Sequence, residues 1–381
     1  MKQFEKDRII VNDKDKQICG TLGFQEIAMM YSGLPTGILY DIRTGDTIGN
    51  IVKSLDQVPE MVANMTRQGV KPNVLRETLG KIYESTVKKI ISLTLLELDM
   101  PDVKFAFMSL GSTARHEMTL FSDQDNALII EDLPEDDVQK VRLQLLKFTD
   151  MVCAKLNDGG YPYCPGGIMS SNPKWCLTQT EWKKRFSVWI SKASPQSILD
   201  IHVFFDIELS YGDKSLVTDL KEFINLMIKN NPGFLVHFAK NLLGYKDPIG
   251  LLGNIRSETK DGVKSINIKE SLMPIVNFAR IYSLRYNVSQ AGTKQRLSIL
   301  KDTGVLSEGS YNELMYIFNH LWHLRFYNQV FAHQGLRKVN DEFELNGLTD
   351  IERQNLRNVL AGISKFQAKI NYDFLGGVSN M

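Results

Sequence analysis

The sequence predicts an α+β fold: a small mixed β-sheet core, flanked by an N-terminal helical segment and a C-terminal helical bundle. Three observations predict it. Apolar residues recur at spacings of three and four through much of residues 25–100, and again after about Leu216. Between these stretches, the runs from Val103 to Leu110 and Asn126 to Ile130 are almost wholly apolar, as buried strands are. Chain breakers crowd residues 157–176, where Gly159-Gly160, Pro162, Pro165, Gly166-Gly167 and Pro173 mark a structured loop.

In order, residues 1–22 read as a strand pair. Ile9-Ile10-Val11 meets the polar turn Asn12 to Lys16, and apolar residues resume at Ile18. Such a pair is too small to fold alone, so it is either the tail of a domain that begins upstream or an edge docked elsewhere. Leu79, Ile82, Tyr83, Val87, Ile90, Ile91 and Leu95 make one helical stripe. Pro134 to Leu156 is helical, with its proline at the tolerant first turn. Residues 178–192 form a helix with Trp182, Phe186, Trp189 and Ile190 on one side. Ile198 to Leu209 alternates and reads as a strand, with Asp200, His202, Phe204, Asp206 and Glu208 on one face. From about Leu216 to the end only helices are expected, the long ones being Ser271–Tyr286, Tyr311–Phe331 and Asp350–Tyr372. Four units result: 1–24, 25–100, 101–228 and 229–381.

Length and charge bound the partners. The chain has 381 residues, 43% of them apolar, enough for a packed core in two or three units. Lys plus Arg is 45 and Asp plus Glu is 44, so broad nucleic-acid binding is not expected. Cys19, Cys153, Cys164 and Cys176 are sparse and contain no Cys-x-x-Cys pair, which argues against a zinc knuckle and for reduced thiols in the cytoplasm. The charged N-terminus lacks the apolar core of a signal peptide, and no apolar run is long enough to cross a membrane. A homodimer is compatible with this composition.

The chemistry concentrates in Phe105 to Asn126. An apolar strand ends in Gly111-Ser112, a short stretch holding Arg115 and Glu117 comes next, and Ser122-Asp123-Gln124-Asp125 opens the next strand. Gly111 lets backbone approach a phosphate. Ser112 offers a hydroxyl near a helix N-terminus, and Arg115 a fork of donors for phosphate oxygens. Asp123 and Asp125, two apart on a strand, point to one face and are suited to share Mg2+ or Mn2+ with substrate phosphates. Two such ions clamp the attacking and leaving oxygens of an in-line displacement. Asp206 is the expected third carboxylate, ahead of Asp200 and Glu208.

These residues resemble the nucleotidyltransferase superfamily of the DNA polymerase β type, whose signature is Gly-Ser, a spacer, then Asp-x-Asp. The run Gly111 to Ile129 looks like the nucleotidyltransferase domain of the uridylyltransferase that modifies the PII protein. It looks most like the nucleotidyltransferases attached to CBS domains, in which a helical substrate-binding domain follows the core. Cys164 to Trp175, Thr180 to Ile190 and Phe204 to Asp213 share the likeness, as do Pro274-Ile275, Thr293, Arg296-Leu297, Arg325 and Gln329. Arg8 to Ile27 is similar to the closing strands of a CBS module. The resemblance implies Gly111 and Ser112 for the nucleotide phosphates, Asp123 and Asp125 as metal ligands, Asp206 as third carboxylate, and Asn172 and Lys174 facing the site. Ala114 departs from a glycine common in the superfamily, a complete CBS pair is missing, and no His-Asp dipeptide marks a phosphohydrolase domain.

Other residues read more plainly. His116 is expected exposed on a helix, and His320, His323 and His333 are not expected to bind metal. Cys164 is expected to pack its loop. Arg325 and Gln329 either face a substrate or bond within the bundle.

Two functions fit this reading. One is transfer of a nucleoside monophosphate, of adenylyl or uridylyl type, from an NTP to a protein or small-molecule acceptor, in the service of signal transduction or as an antitoxin-like enzyme acting on a protein. The other is a regulatory module that binds nucleotide without turnover.

Overall fold

A computed structural model describes residues 8–12, 17–23, 35–192, 201–245, 247–250, 253–260, 262–336 and 340–376. Arg8–Asn12 (β1) pairs antiparallel with Ile18–Gly23 (β2). The front helices are Pro35–Thr44 (α1), Ile48–Leu55 (α2), Val58–Arg67 (α3) and Pro72–Leu95 (α4). Leu79, Ile82, Tyr83, Val87, Ile90 and Ile91 of α4 are buried, as their spacing requires. Thr86 and Thr94 share that face because their hydroxyls donate back to the carbonyls of Ile82 and Ile90, each at 2.8 Å.

The central sheet is mixed. Among the described residues it holds Phe105–Leu110 (β3), Asn126–Ile130 (β4), Cys176–Thr178 (β5) and Ile207–Gly212 (β6), in the order β5-β4-β3-β6. Strand β3 runs antiparallel to both β4 and β6, whereas β5 is parallel to β4. A short helical turn, Gly111–Ala114 (α5), comes after β3. Glu135–Asp158 (α6) begins with three acidic residues, Glu135, Asp136 and Asp137, which favour its positive N-terminal end. Gln179–Ser191 (α7) is set by a capping box between Thr178 and Glu181.

The strand expected from Ile198 to Leu209 is shorter than its alternation suggests. Residues 198–200, Asp200 among them, lie outside the described residues. His202–Phe205 is a 3-10 turn, and strand β6 starts only at Ile207. The reason is that adjacent Phe204 and Phe205 are both buried. Phe204 packs among Trp175, Trp182 and Trp189, and Phe205 against Phe186, Phe234 and Phe238. An extended strand sends neighbours to opposite faces, whereas a tight turn lets both rings enter one aromatic core.

The back half is also not wholly helical. It holds Lys214–Asn230 (α8), Gly233–Leu242 (α9), Ile268–Arg285 (α10), Thr293–Asp302 (α11), Glu308–His333 (α12) and Asp350–Leu375 (α13). Glu258–Lys260 (β7), Val263–Asn267 (β8) and Glu342–Glu344 (β9) add an antiparallel sheet. These strands are too short for a period to show, and β9 pairs from far along the chain. Helix α10 packs against α11, α12 and α13, and one continuous apolar core joins the front helices, the sheet and the back half. No helix among the described residues is long and apolar enough to cross a membrane.

Candidate active site

Strand direction gathers the site. Because β3 is antiparallel to both neighbours, its C-terminal end meets the chain entering β4 and the chain entering β6. Asp125 immediately precedes β4 and Asp206 immediately precedes β6. The amide of Leu110 donates to the Asp125 carbonyl at 3.0 Å, and that of Gly111 to the Asp206 carbonyl at 3.1 Å. Gly111 has φ +56, and a Cβ there would lie 2.5 Å from Val203 Cγ2 and 3.3 Å from Asp125 Oδ2. Its lack of a side chain is therefore required by the packing of the chain itself.

A cleft of about 250 Å³ opens beside this junction. Ser112, Arg115, Glu117 and Asp123 line it from the core; Lys269, Trp322, Arg325 and Gln329 line it from the back half. Gln329 Oε1 accepts from the Leu120 amide at 3.3 Å, and Arg325 donates to Asp341 at 2.8 Å. Both of the bundle residues left open in sequence thus face the cleft while making structural bonds.

Asp123 and Asp125 share one side of their extended stretch, and the Cys164 sulfur joins them. One ligand atom from each of the three lies within 4.8 Å of the others. Burial pushes the Asp125 carboxyl up to about 6; the Cys164 hydrogen bond opposes this, Asp123 adds to it, and Arg115 and Lys269 oppose it. Burial pushes the Cys164 thiol up to about 11, with the Asp125 charge adding. A half-buried carboxylate pair with this donor set fits a divalent cation, which would offset the desolvation.

Asp206 is held by arginines. It is fully buried, and among the described residues its oxygens accept from Arg115 at 2.6 Å, from Arg280 at 2.5–3.2 Å and from Arg296 at 2.5 Å. Burial favours its neutral form, but Arg280, Arg296 and Arg115 overcome this and hold the carboxyl far below the usual range. The expected third metal carboxylate is thus engaged by guanidinium groups on both oxygens. Arg115 also donates to Glu117 at 2.7 Å, and Glu117 accepts from the Thr293 amide at 3.1 Å. Counting Asp206 and Glu117 against Arg115, Arg280 and Arg296, this buried network carries one net positive charge beside the cleft.

His116 sits between Arg115 and Glu117 with φ +53. It is half-buried rather than exposed, packed against Gly80 of α4, where a Cβ would meet His116 Cβ at 2.7 Å. Lys174 is exposed on the turn Pro173–Trp175 and does not line the cleft. Asn172 caps that turn, accepting from the Lys174 amide at 3.1 Å and donating to the Gly167 carbonyl at 2.9 Å. Sequence reasoning missed Cys164, Arg280 and Lys269 as members of the site. Cys164 carried a signal in its position between the breakers of a structured loop; the other two are cations of helix α10 whose partners lie far off in sequence.

Residues 56–196 match a family model described as "Putative nucleotidyltransferase DUF294", and residues 232–374 match one described as "Putative nucleotidyltransferase substrate binding domain". A search of curated proteins finds none that matches the chain. The first match holds Gly111, Ser112, Asp123, Asp125 and Cys164; the second holds Arg280, Arg296, Trp322 and Arg325. Each match covers less than half of the chain: its middle is similar to the DUF294 nucleotidyltransferase family, and its back half to that family's substrate-binding domain.

Proposed function

We propose that the protein transfers a nucleoside monophosphate from an NTP to an acceptor hydroxyl, with pyrophosphate leaving. The observation that carries this reading is the cleft itself: Ser112, Arg115 and Asp123 face it from the core, and Lys269 and Arg325 from the substrate-binding domain. Asp123 and Asp125 would hold divalent cations, Mg2+ or Mn2+ by the family resemblance. When bound, such cations neutralise the phosphates and lower the cost of the charge that develops on the leaving oxygen. Ser112 offers its hydroxyl to the triphosphate. Arg115 presents a cationic edge whose direction is fixed by Asp206 and Glu117. Asp206 acts as the anchor of that arginine cluster, and Lys174 is left out of the site. Leu272, Met273, Val276 and Trp322 give the cleft an apolar wall suited to a nucleobase or an apolar acceptor.

The acceptor, a protein or a small molecule, and the choice between adenylyl and uridylyl transfer belong to this reading as open arms of its test. So do a place in signal transduction, descent from the CBS-linked branch, and a cytoplasmic setting, the last supported by the four free cysteines. One observation favours the alternative of a nucleotide-binding module without turnover, namely the engagement of Asp206 by arginines. Incubation with Mg2+ and each labelled NTP, with and without cell extract, separates the two. Pyrophosphate release that disappears in Asp123→Ala and Asp125→Ala is expected. Tight nucleotide binding with no release in any extract would establish the module instead.

A further inference from the structure

The loop after α6 brings a third donor to the two aspartates, and the residues interleaved with them are what hold it there. Asp123 and Asp125 share one side of the extended stretch; Gln124 and Asn126 turn to the other and are fully buried. The inward pair grips the loop. Gln124 donates its amide to the Pro162 carbonyl at 3.0 Å, and Nε2 to the carbonyls of Tyr161 at 3.1 Å and Cys153 at 3.0 Å. Asn126 donates its amide to the Ile168 carbonyl at 3.1 Å, and its Oδ1 accepts from the Ser170 amide at 2.8 Å and hydroxyl at 2.7 Å. Within that grip, the Gly167 amide closes a turn onto the Cys164 carbonyl at 2.9 Å. The same stretch therefore supplies two carboxylates on one side and positions a thiol beside them from the other.

We propose that Cys164 is the third protein ligand of a cation held by Asp123 and Asp125. The site is then a mixed oxygen and sulfur site whose donor set takes a borderline-soft divalent ion of the Zn2+ and Co2+ class in place of the Mg2+ or Mn2+ that the resemblance implies. This rests on the reading of Asp123 and Asp125 as metal ligands. Sulfur ligands select such ions, whereas Mg2+ takes oxygen. Three protein ligands leave a position open for water or a substrate phosphate oxygen. The thiol proton passes to solvent as the sulfur–metal bond forms.

Anaerobic titration of the whole chain with Co2+, followed by absorption, tests this directly. The expected result is a thiolate-to-cobalt charge-transfer band in the near ultraviolet together with weaker visible bands. Cys164→Ser, checked by circular dichroism for an unchanged fold, should lose the charge-transfer band and keep weak visible bands. Its Co2+ affinity should fall by at least the roughly 10–100-fold that loss of an outer-shell partner costs. Visible bands without charge transfer in the parent protein overturn the sulfur ligand and leave the aspartates standing. A charge-transfer band that survives in Cys164→Ser places the sulfur at another cysteine and overturns it too. Co2+ binding that is absent, or unaffected by Asp123→Ala with Asp125→Ala, overturns the aspartate reading itself.

Discussion

Asp206→Asn probes the centre of the buried arginine cluster. Both carboxylate oxygens accept from arginine, Oδ1 from Arg280 and Arg296 and Oδ2 from Arg115 and Arg280. Either orientation of an asparagine amide therefore turns its NH2 toward a guanidinium N–H, donor against donor. The substitution also raises the net charge of the cluster from +1 to +2 around a position that is itself shut from water. Breaking a buried pair costs about 3–5 kcal/mol, and the donor clash puts this case near the top of that range. The pH dependence carries its own sign. The folded carboxyl lies below the unfolded value, so its contribution is present above about pH 4 and is lost as pH falls toward the folded value. Urea unfolding at pH 7 and at about pH 3 should therefore show a large gap between parent and variant that narrows in acid. A variant within about 1 kcal/mol of the parent at pH 7, with weakened cation binding, would refute the anchor and restore Asp206 as a metal ligand.

Four other expectations are narrower. Asp125→Asn should stabilise the cation-free protein at neutral pH by about 1–3 kcal/mol while abolishing turnover, because burial raises the folded carboxyl to about 6. That stabilising margin is absent below about pH 4 and grows as pH rises through 6; thermal melts without divalent ions across that range check it. Co2+ affinity of the parent should fall roughly fiftyfold between pH 6 and pH 5, about fivefold as Asp125 protonates and about tenfold more from the proton that Cys164 must release, and only about fivefold in Cys164→Ser, measured by calorimetry. Gly111→Ala should cost on the order of 2–4 kcal/mol, from positive φ plus the Val203 overlap, whereas Gly304→Ala, with φ +75 and open space, should cost about 1 kcal/mol; chemical denaturation of both distinguishes them. Ser112→Ala should leave the melting temperature unchanged and lower kcat/KM about tenfold, and unchanged kinetics would remove the hydroxyl from phosphate binding.

The order of elements was legible in the chain because helical stripes and buried strands are short-range patterns. Leu79 to Ile91 mark one face of α4, and the aspartate pair shares a side of its stretch by the period of two alone. Tertiary structure decided what each carboxylate meets. Asp206 was read on a polar strand face because alternation continued through Phe204, yet two adjacent rings seeking one aromatic core made a turn of it and delivered its carboxylate to three arginines. Arg280 and Arg296 come from helices far along the chain, and Cys164 arrives through bonds from Gln124 and Asn126. Hydrogen bonds and ion pairs act over a few ångströms of space between residues widely separated in sequence, so they leave no local period to read.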